Sequence, residues 1–371
     1  MIRIFHTADI HLGMKFSSYP EVQRELTEAR FAAVDTLVER ANSEECRLFV
    51  VAGDLFDRTR AAAADVKRAA ASLSRFAGDA VLVLPGNHDF IGPDSELWAR
   101  FKAEAGDRTV VLDAAAPVDL RHYGVPAAAY PAPCTAAHSH TSATGWITPE
   151  TRLADVELHI GIAHGSLAGI SPDPEQNYYP MSVAGLTSLH PDLWLLGHTH
   201  IVYPAEPGPA DRVYNPGTPE PDGFDCGHAG NAFMIDAEAG APPIVRRLDT
   251  GAYRFEQRTI LVNPGVDLEL VTGEQVAATA GNLLLKISLR GSVSSAQRQL
   301  LSTLENAVRA KVRYLAVDDT ELTEAVTAER IEREFPHGSF AHSLLSTLLS
   351  EDDDAALTAA YELIAEARLD H

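Results

Sequence analysis

Residues 48–58 read Leu-Phe-Val-Val-Ala-Gly-Asp-Leu-Phe-Asp-Arg. The apolar run Leu48–Val51 has the length and β-branched content of a strand buried on both faces. Gly53 then lets the chain turn, and Asp54, Asp57 and Arg58 follow at once. Acids placed directly after such a strand lie beyond the carboxyl end of a sheet, where α/β folds bind their ligands.

The same pattern recurs outward from this stretch. Ile2–Phe5 precedes Asp9-Ile10-His11, and Val81–Leu84 precedes Gly86-Asn87-His88-Asp89. Leu158–Ile162 precedes His164-Gly165, and Leu193–Leu196 precedes Gly197-His198-Thr199-His200. Between the first two runs, from roughly Val22 to Asn42, Leu26, Phe31, Val34, Leu37 and Val38 fall near helical spacing. Strands alternating with helices predict an α/β architecture with substantially parallel strands.

A single His-x-His or Gly-Asp is ordinary loop and turn chemistry. Five strand ends that all finish in Asp, Asn or His exceed what turns require, and they predict a metal centre. The candidate ligands are Asp9, His11, Asp54, Asn87, His164, His198 and His200, with no thiolate among them. They are too many for one four-coordinate zinc and suit two ions that favour oxygen and imidazole, Mn²⁺ first, with Mg²⁺ or Fe²⁺ as alternatives. Two such ions ~3.5–4 Å apart activate water at neutral pH and neutralise phosphoryl oxygens, which is phosphoester hydrolysis chemistry.

Composition sets the frame. The chain has 371 residues, 46% of them hydrophobic, enough to build a core and to exclude general disorder. No apolar run is long enough to span a bilayer, and a strand starting at Ile2 leaves no room for a signal peptide, so a cytoplasmic protein with no membrane partner is expected. Cys46, Cys134 and Cys226 show no CxxC pairing, which excludes a disulfide framework or zinc ribbon. Lys+Arg number 30 against 52 Asp+Glu, a net charge of −22 that argues against a general polyanion binder.

Those charges are uneven. Residues 1–262 carry −13, residues 263–317 carry +2 and residues 318–371 carry −11, which predicts three units with those bounds. The middle unit reads as a small α/β module: strand Leu283–Leu289, a helix from about Ser295 to Ala310, and strand Val312–Val317. The last unit reads as two helices, striped by Phe340, Leu344, Leu345 and Leu348 and by Leu357, Tyr361 and Ile364. The acidic cluster Glu351–Asp354 suits the start of the second helix, and the pair needs a partner surface. The stretch Pro126–Pro149 reads as a long loop that holds His138 and His140 in solvent, and Cys134 and Cys226 stay out of the site.

The ordered motifs DIH, GDLFD, GNHD, HG and GHTH resemble the calcineurin-like metallophosphoesterase superfamily, whose fold is a β-sandwich flanked by helices. The resemblance implies one metal on Asp9, His11, Asp54 and His200 and another on Asp54, Asn87, His164 and His198, with Asp54 bridging. It implies that His88 is no ligand but faces the leaving-group oxygen, as proton donor or as stabiliser of developing charge. Asp57 aligns with the carboxylate that orients this histidine in related protein phosphatases, so an Asp57–His88 pair that keeps the imidazole protonated is expected; a helix N-cap is the other reading. Arg58 is the nearest fixed cation and either contacts substrate phosphate or is an ordinary surface arginine.

Protein phosphatases of the superfamily carry GDxxDRG, whereas this chain reads GDLFDRT. More closely, HTADIHLG, GDLFD, YYPMSVAGLTSLHPDLWLLGHTH, NPGTPEPDGFD and LLLKISLRG resemble the bacterial SbcD/YhaO-type DNA repair exonucleases, most closely through about residue 225. That likeness implies a capping domain at 263–317 and a partner-binding tail at 318–371 for an SMC-like coiled-coil ATPase of the SbcC/YhaN type, and it makes a homodimer plausible. Two positions depart from the pattern: Asp57 stands where eukaryotic and archaeal relatives usually have His, and GHTH replaces GHIH. The leading expectation is a Mn²⁺-dependent DNA exo/endonuclease subunit; the alternatives are a phosphodiesterase or phosphatase for nucleotides or other small phosphoesters, and a non-catalytic scaffold. Because Leu153–Asp211 holds no Lys or Arg, weak and salt-sensitive DNA binding by the lone chain is expected.

Overall fold

The computed structural model describes residues 1–371 except 94, 264–265, 267, 269–280, 352–353 and 370–371. The chain divides into two compact units, Met1–Phe255 and Glu256–His371.

The first unit is a sandwich of two sheets. One sheet contains β1 (Ile2–Thr7), β2 (Leu48–Ala52), β3 (Ala80–Leu84), β4 (Thr109–Val111), β10 (Asn231–Ala237) and β11 (Ile244–Asp249), in the order β11-β10-β1-β2-β3-β4. The other contains β5 (Val118–Asp119), β6 (Ala127–Ala132), β7 (Leu158–His164), β8 (Leu193–Gly197) and β9 (Val213–Tyr214), in sequence order. β1 to β4 run parallel, as do β6 to β9. Helices α1 (Gln23–Ser43), α2 (Ala63–Leu73) and α3 (Leu97–Glu104) connect strands of the first sheet, and the short α4 (Val183–Thr187) precedes β8.

Strand alternation explains the layers. Phe5, Phe49, Val51, Val81 and Val83 pack on Phe31, Val34 and Leu37 of α1, Val66 and Leu73 of α2, and Trp98 and Phe101 of α3. Their neighbours Ile4, Leu48, Val50, Leu82 and Leu84 face the second sheet and meet Ile160, Ile162, Leu193 and Leu195. The far face of the second sheet, with Tyr130, Trp194 and Leu196, is closed by Ile147, Leu167, Met181 and Leu186. Strands buried on both sides need unbroken apolar runs, which is what the sequence carries.

One segment departs from expectation. Within Pro126–Pro149, read as loop, Ala127–Ala132 forms the fully buried strand β6 beside β7. Alanine favours strands poorly, so packing rather than propensity decides this element. Pro131 is tolerated there because β5 pairs only with Ala128 and Ala129 and leaves the end of β6 open on that side.

The second unit begins earlier than the charge pattern suggests, because β12 (Arg254–Val262) joins β13 (Leu283–Val293) and β14 (Tyr314–Glu324) in one three-stranded sheet. Helix α5 (Ser295–Arg309) crosses between the parallel β13 and β14, opened by a capping box of Ser294 and Gln297. Leu285, Ile287, Val308 and Leu315 form its core, with Leu301 and Leu304 against them. A short helix unread in the sequence, α6 (Ala328–Glu334), precedes α7 (Phe340–Ser350) and α8 (Asp354–Leu369). Ile331 and Phe335 pack with Leu345 and Leu357, so this preceding turn supplies part of the surface the helix pair needs. Of the acidic cluster, Asp352 and Asp353 lie outside the described residues. Among the described residues no helix is long and apolar enough to cross a membrane.

Candidate metal centre

The five strand ends meet at one edge of the sandwich. The first sheet delivers Asp9 and His11 after β1, Asp54 after β2 and Asn87 after β3. The second delivers His164 as the last residue of β7, and His198 and His200 after β8. Asp9, His11, Asp54 and His198 take φ values of 55°, 49°, 52° and 103°, left-handed backbone that costs energy in a non-glycine residue. Main-chain bonds between loops hold this strain: the Asp9 N–H donates to the Gly53 carbonyl at 3.1 Å, and the His11 N–H to that of Asp54 at 2.9 Å. Gly53 is required here, since a Cβ would lie 1.9 Å from Nδ1 of His164.

The side chains form two overlapping groups. On one side the His200 ring lies with Nδ1 2.8 Å from Oδ2 of Asp222. In the tautomer that donates Nδ1–H there, the Nε2 lone pair faces Nε2 of His11, 3.1 Å away. Asp9 Oδ1 lies 3.9 Å from the same His200 atom, and Asp54 Oδ2 lies 3.8 Å from His11 Nε2. On the other side, Nδ1 of His164 lies 2.9 Å from the Ala52 carbonyl, and its Nε2 faces Asn87 Oδ1 at 3.0 Å and Asp54 Oδ2 at 3.2 Å. Asn87 Oδ1 is also 2.9 Å from Nδ1 of His198.

Ring nitrogens, an amide oxygen and two carboxylates thus converge from both sheets. Such a donor set calls for cations between its members, and oxygen with imidazole fits divalent ions of the Mn²⁺ or Mg²⁺ kind. Asp9, Asp54 and His164 form one group of ligand atoms within 4.8 Å of one another, and Asp9, His11 and His200 form another. All seven residues expected as ligands are brought together, and Asp54 reaches both groups.

Electrostatics fit the same picture. Burial lifts the Asp9 carboxyl to about 6 against the pull of His200 and His164. Burial would also raise Asp54, but the rings of His164 and His11 hold it below the usual carboxylate range. Burial disfavours a charged His164, yet Asp54 and Asp9 lift it to about 9, while burial pushes His198 down to about 3. A proton shared by His164 and Asp54 occupies the region where an ion would bind, so metal and proton compete there.

His88 stands exposed at the rim, its ring edge-on to His11 with centroids 4.7 Å apart. The expected side-chain pair with Asp57 does not form. The ring's Nδ1 lies 3.1 Å from the main-chain carbonyl of Asp57, while the Asp57 carboxylate accepts from Arg58 at 2.5 Å. Asp57 is no helix N-cap either, because α2 is capped at Ala62.

Three residues were not singled out from the sequence. Asp222 orients His200, and the fully buried Arg30 stands behind it, Nη2 3.9 Å from Asp222 Oδ2. Asp89 accepts from the main-chain N–H groups of Gly86 and Phe56 at 2.7 and 2.9 Å, clasping two ligand loops together, and burial pushes its carboxyl up to about 8. Asp89 closes the GNHD motif and Asp222 sits in PDGFD, but no spacing rule links either to its partner.

A cleft of about 540 Å³ opens over the site, lined by Met14, His88, Asp173, Tyr178, His198 and His200, among others. Tyr178 lies between His198 and the exposed His138, with ring centroids 4.9 and 5.0 Å away, and His140 is exposed as expected. Cys134 is buried, its Sγ 3.5 Å from the His164 carbonyl, whereas Cys226 does line the cleft.

Residues 2–202 match the calcineurin-like phosphoesterase family. The uncharacterized metallophosphoesterase YhaO of Bacillus subtilis (strain 168) is 27% identical over 206 residues, 54% of this chain and 48% of that protein. The match therefore spans about half the length of this curated relative. The calcineurin-like phosphoesterase YfkN from Bacillus subtilis aligns in structure with a TM-score of 0.39 at 13% identity, covering 66% of this chain and 90% of that chain. With more than half of its residues inside the family match, and all five ligand-bearing strand ends among them, the chain belongs to the calcineurin-like phosphoesterase family.

Proposed function

We propose that this protein is a two-metal phosphodiesterase that cleaves DNA, with Mn²⁺ as its working ion. The observation that supports this most is the convergence of seven oxygen- and imidazole-bearing side chains beneath an open cleft, with His88 exposed at its rim. Asp9, His11, Asp54 and His200 would hold one ion, and Asp54, Asn87, His164 and His198 the other; the ions supply activation of water and neutralisation of phosphoryl charge.

The chain's own groups do the rest. His88 would donate its Nδ1–H to the Asp57 carbonyl and, when doubly protonated, would give its Nε2–H to the leaving oxygen. Arg58, half-exposed and paired with Asp57, would be the cation that meets a phosphate. Beside these two loops a hollow of about 530 Å³ carries Arg60, Phe90 and an Arg100–Glu96 ion pair at 3.5 Å, so Arg60 is its cation for a further phosphate of a polynucleotide. On the C-terminal helices Phe340 and Leu363 remain 79% and 67% exposed, which supports docking of a coiled-coil ATPase there. A homodimer and a cytoplasmic location complete the reading.

A second reading has its own support. Among the described residues the metal cleft is lined by Asp173, Asp222 and Asp225 and by no Lys or Arg, which favours a small phosphoester over a polyanion. An end-labelled DNA duplex and a chromogenic phosphodiester, each assayed with Mn²⁺ for wild type and His88→Ala, separate the two. DNA cleavage that vanishes in the variant and weakens steeply with salt is expected. Cleavage of the small ester alone would overturn the nuclease reading, and cleavage of neither would point to a scaffold.

A further inference from the structure

We propose that Asp222, braced by Arg30, is a positioning residue that makes the His11/His200 side of the metal centre the tighter half, filled before the Asn87/His164/His198 side. This rests on the two-metal reading above.

The two halves differ in what stands behind their histidines. His164 leans on a neutral main-chain carbonyl, that of Ala52 at 2.9 Å. His198 leans on the ring of Tyr178. Nδ1 of His11 has no hydrogen-bond partner among the described residues, so His200 alone of the four has a carboxylate behind it, Asp222 Oδ2 at 2.8 Å, and the advantage of its half rests on that one ring. A carboxylate on the far nitrogen fixes the tautomer, stops the ring from turning and makes the ligating nitrogen a stronger donor than a carbonyl does.

Arg30 gives this contact its purpose. The side chain is wholly buried, with Nε unpartnered, which is a costly place for a cation unless it serves something. Its Nη1 donates to the Ile10 carbonyl at 2.6 Å, between the ligands Asp9 and His11, and its Nη2 donates to the Glu220 carbonyl at 3.1 Å. The same Nη2 lies 3.9 Å from Asp222. One guanidinium therefore ties the Asp9–His11 turn of the first sheet to the partner of His200 from the second. Its charge also faces the Asp222 carboxylate. The half that gains is the one with both carboxylates, Asp9 and Asp54, against one carboxylate and an amide in the other.

The test is Mn²⁺ titration of metal-free wild type, Asp222→Ala, Asp222→Asn, His200→Ala and the Asp222→Ala/His200→Ala double variant. Calorimetry gives affinity at each step, and electron paramagnetic resonance separates coupled from isolated Mn²⁺. Wild type should bind two equivalents in distinct steps. Asp222→Ala should weaken the first step by about 10- to 100-fold and leave the second nearly unchanged. At one equivalent it should spread the ions over both halves. Asp222→Asn, which keeps an acceptor but no charge, should fall between, with the melting temperature of the metal-free protein unchanged. The double variant should bind no more weakly than His200→Ala, because Asp222 acts through that ring. Wild-type affinity in Asp222→Ala would overturn the assignment, as would equal weakening of both steps with a lowered metal-free melting temperature. Wild type that binds fewer than two ions would instead bring down the two-metal reading, and this inference with it.

Discussion

The two sheets of the sandwich supply the metal centre in different ways. The first sheet places its ligands with backbone. Asp9, His11 and Asp54 sit on left-handed turns bonded main chain to main chain, so their side chains have little freedom left. The second sheet places imidazoles, which can rotate, and fixes two of them through the nitrogen that does not face the site. His164 is held by the Ala52 carbonyl at the end of β2, and His200 by Asp222. Ligand position is thus set by backbone strain at Asp9, His11 and Asp54 on one side and by a second contact at His164 and His200 on the other, where only His198 is also on strained backbone. Removing a ligand from the first sheet should cost more than loosening one in the second.

Asp54 is the severest test of that ordering. It reaches His11 on one side and His164 on the other, at 3.8 and 3.2 Å, and accepts the His88 N–H through its other oxygen at 2.8 Å. Asp54→Ala should abolish tight binding of both ions and lower phosphodiesterase turnover by at least about 10³-fold, since metal charge is worth several kcal/mol to the transition state. Metal analysis after gel filtration, beside turnover, checks this. A variant that keeps one ion at wild-type affinity would show that the two halves are independent and that Asp54 does not bridge them.

His88 and Asp57 come next. His88→Ala should cut turnover by about 10²- to 10⁴-fold with two equivalents of metal retained, the mark of a lost proton donor. Asp57→Asn should do far less, because the atom that holds His88 is a main-chain carbonyl that the substitution leaves in place. What it removes is a partly exposed ion pair with Arg58, worth no more than about 1 kcal/mol, or fivefold. If Asp57→Asn is as damaging as His88→Ala, the carboxylate must turn onto the ring when substrate binds.

This contrast also explains what the sequence could show. Apolar runs that stop on Asp, Asn or His are local patterns, so the five strands that end at the site and the positions of the seven candidate ligands were legible. Contacts between distant segments leave no such trace. Asp222 meets His200 across a loop, Arg30 meets Ile10 from the middle of α1, and the Asp57 carbonyl rather than its side chain meets His88. β6 stayed hidden for a related reason: Ala-Ala-Ala-Tyr-Pro-Ala has the composition of a loop and becomes a strand only because β7 and Trp194 pack beside it. The second unit packs from β12 onward, ahead of the change in charge at residue 263, because hydrogen bonding changes before β12 and charge only after it.

The last prediction concerns the joint between the two sheets. His6 on β1 is wholly buried, and its Nε2 lies 3.0 Å from the Leu196 carbonyl on β8, while Nδ1 has no partner. Burial pushes this imidazole down to about 3, with the carbonyl opposing only in part. In the unfolded chain the same ring takes a proton near its ordinary value of about 6.5. Below that pH the unfolded state binds the extra proton and the folded state does not, so folding stability falls as pH drops. The slope tends toward about 1.4 kcal/mol per pH unit and ends only once the folded ring itself titrates. His6→Gln keeps a donor for Leu196 and removes the titration. Urea unfolding of the metal-free protein from pH 7 to pH 4 should show wild type losing stability faster than the variant, with the gap between them changing by roughly 2 kcal/mol or more in the variant's favour. Other buried histidines tilt both curves alike, so only their difference reports on His6. Parallel curves would mean that the ring is already charged or hydrated in the fold. The sheets would then be joined at this point by an ionised contact rather than by a neutral hydrogen bond.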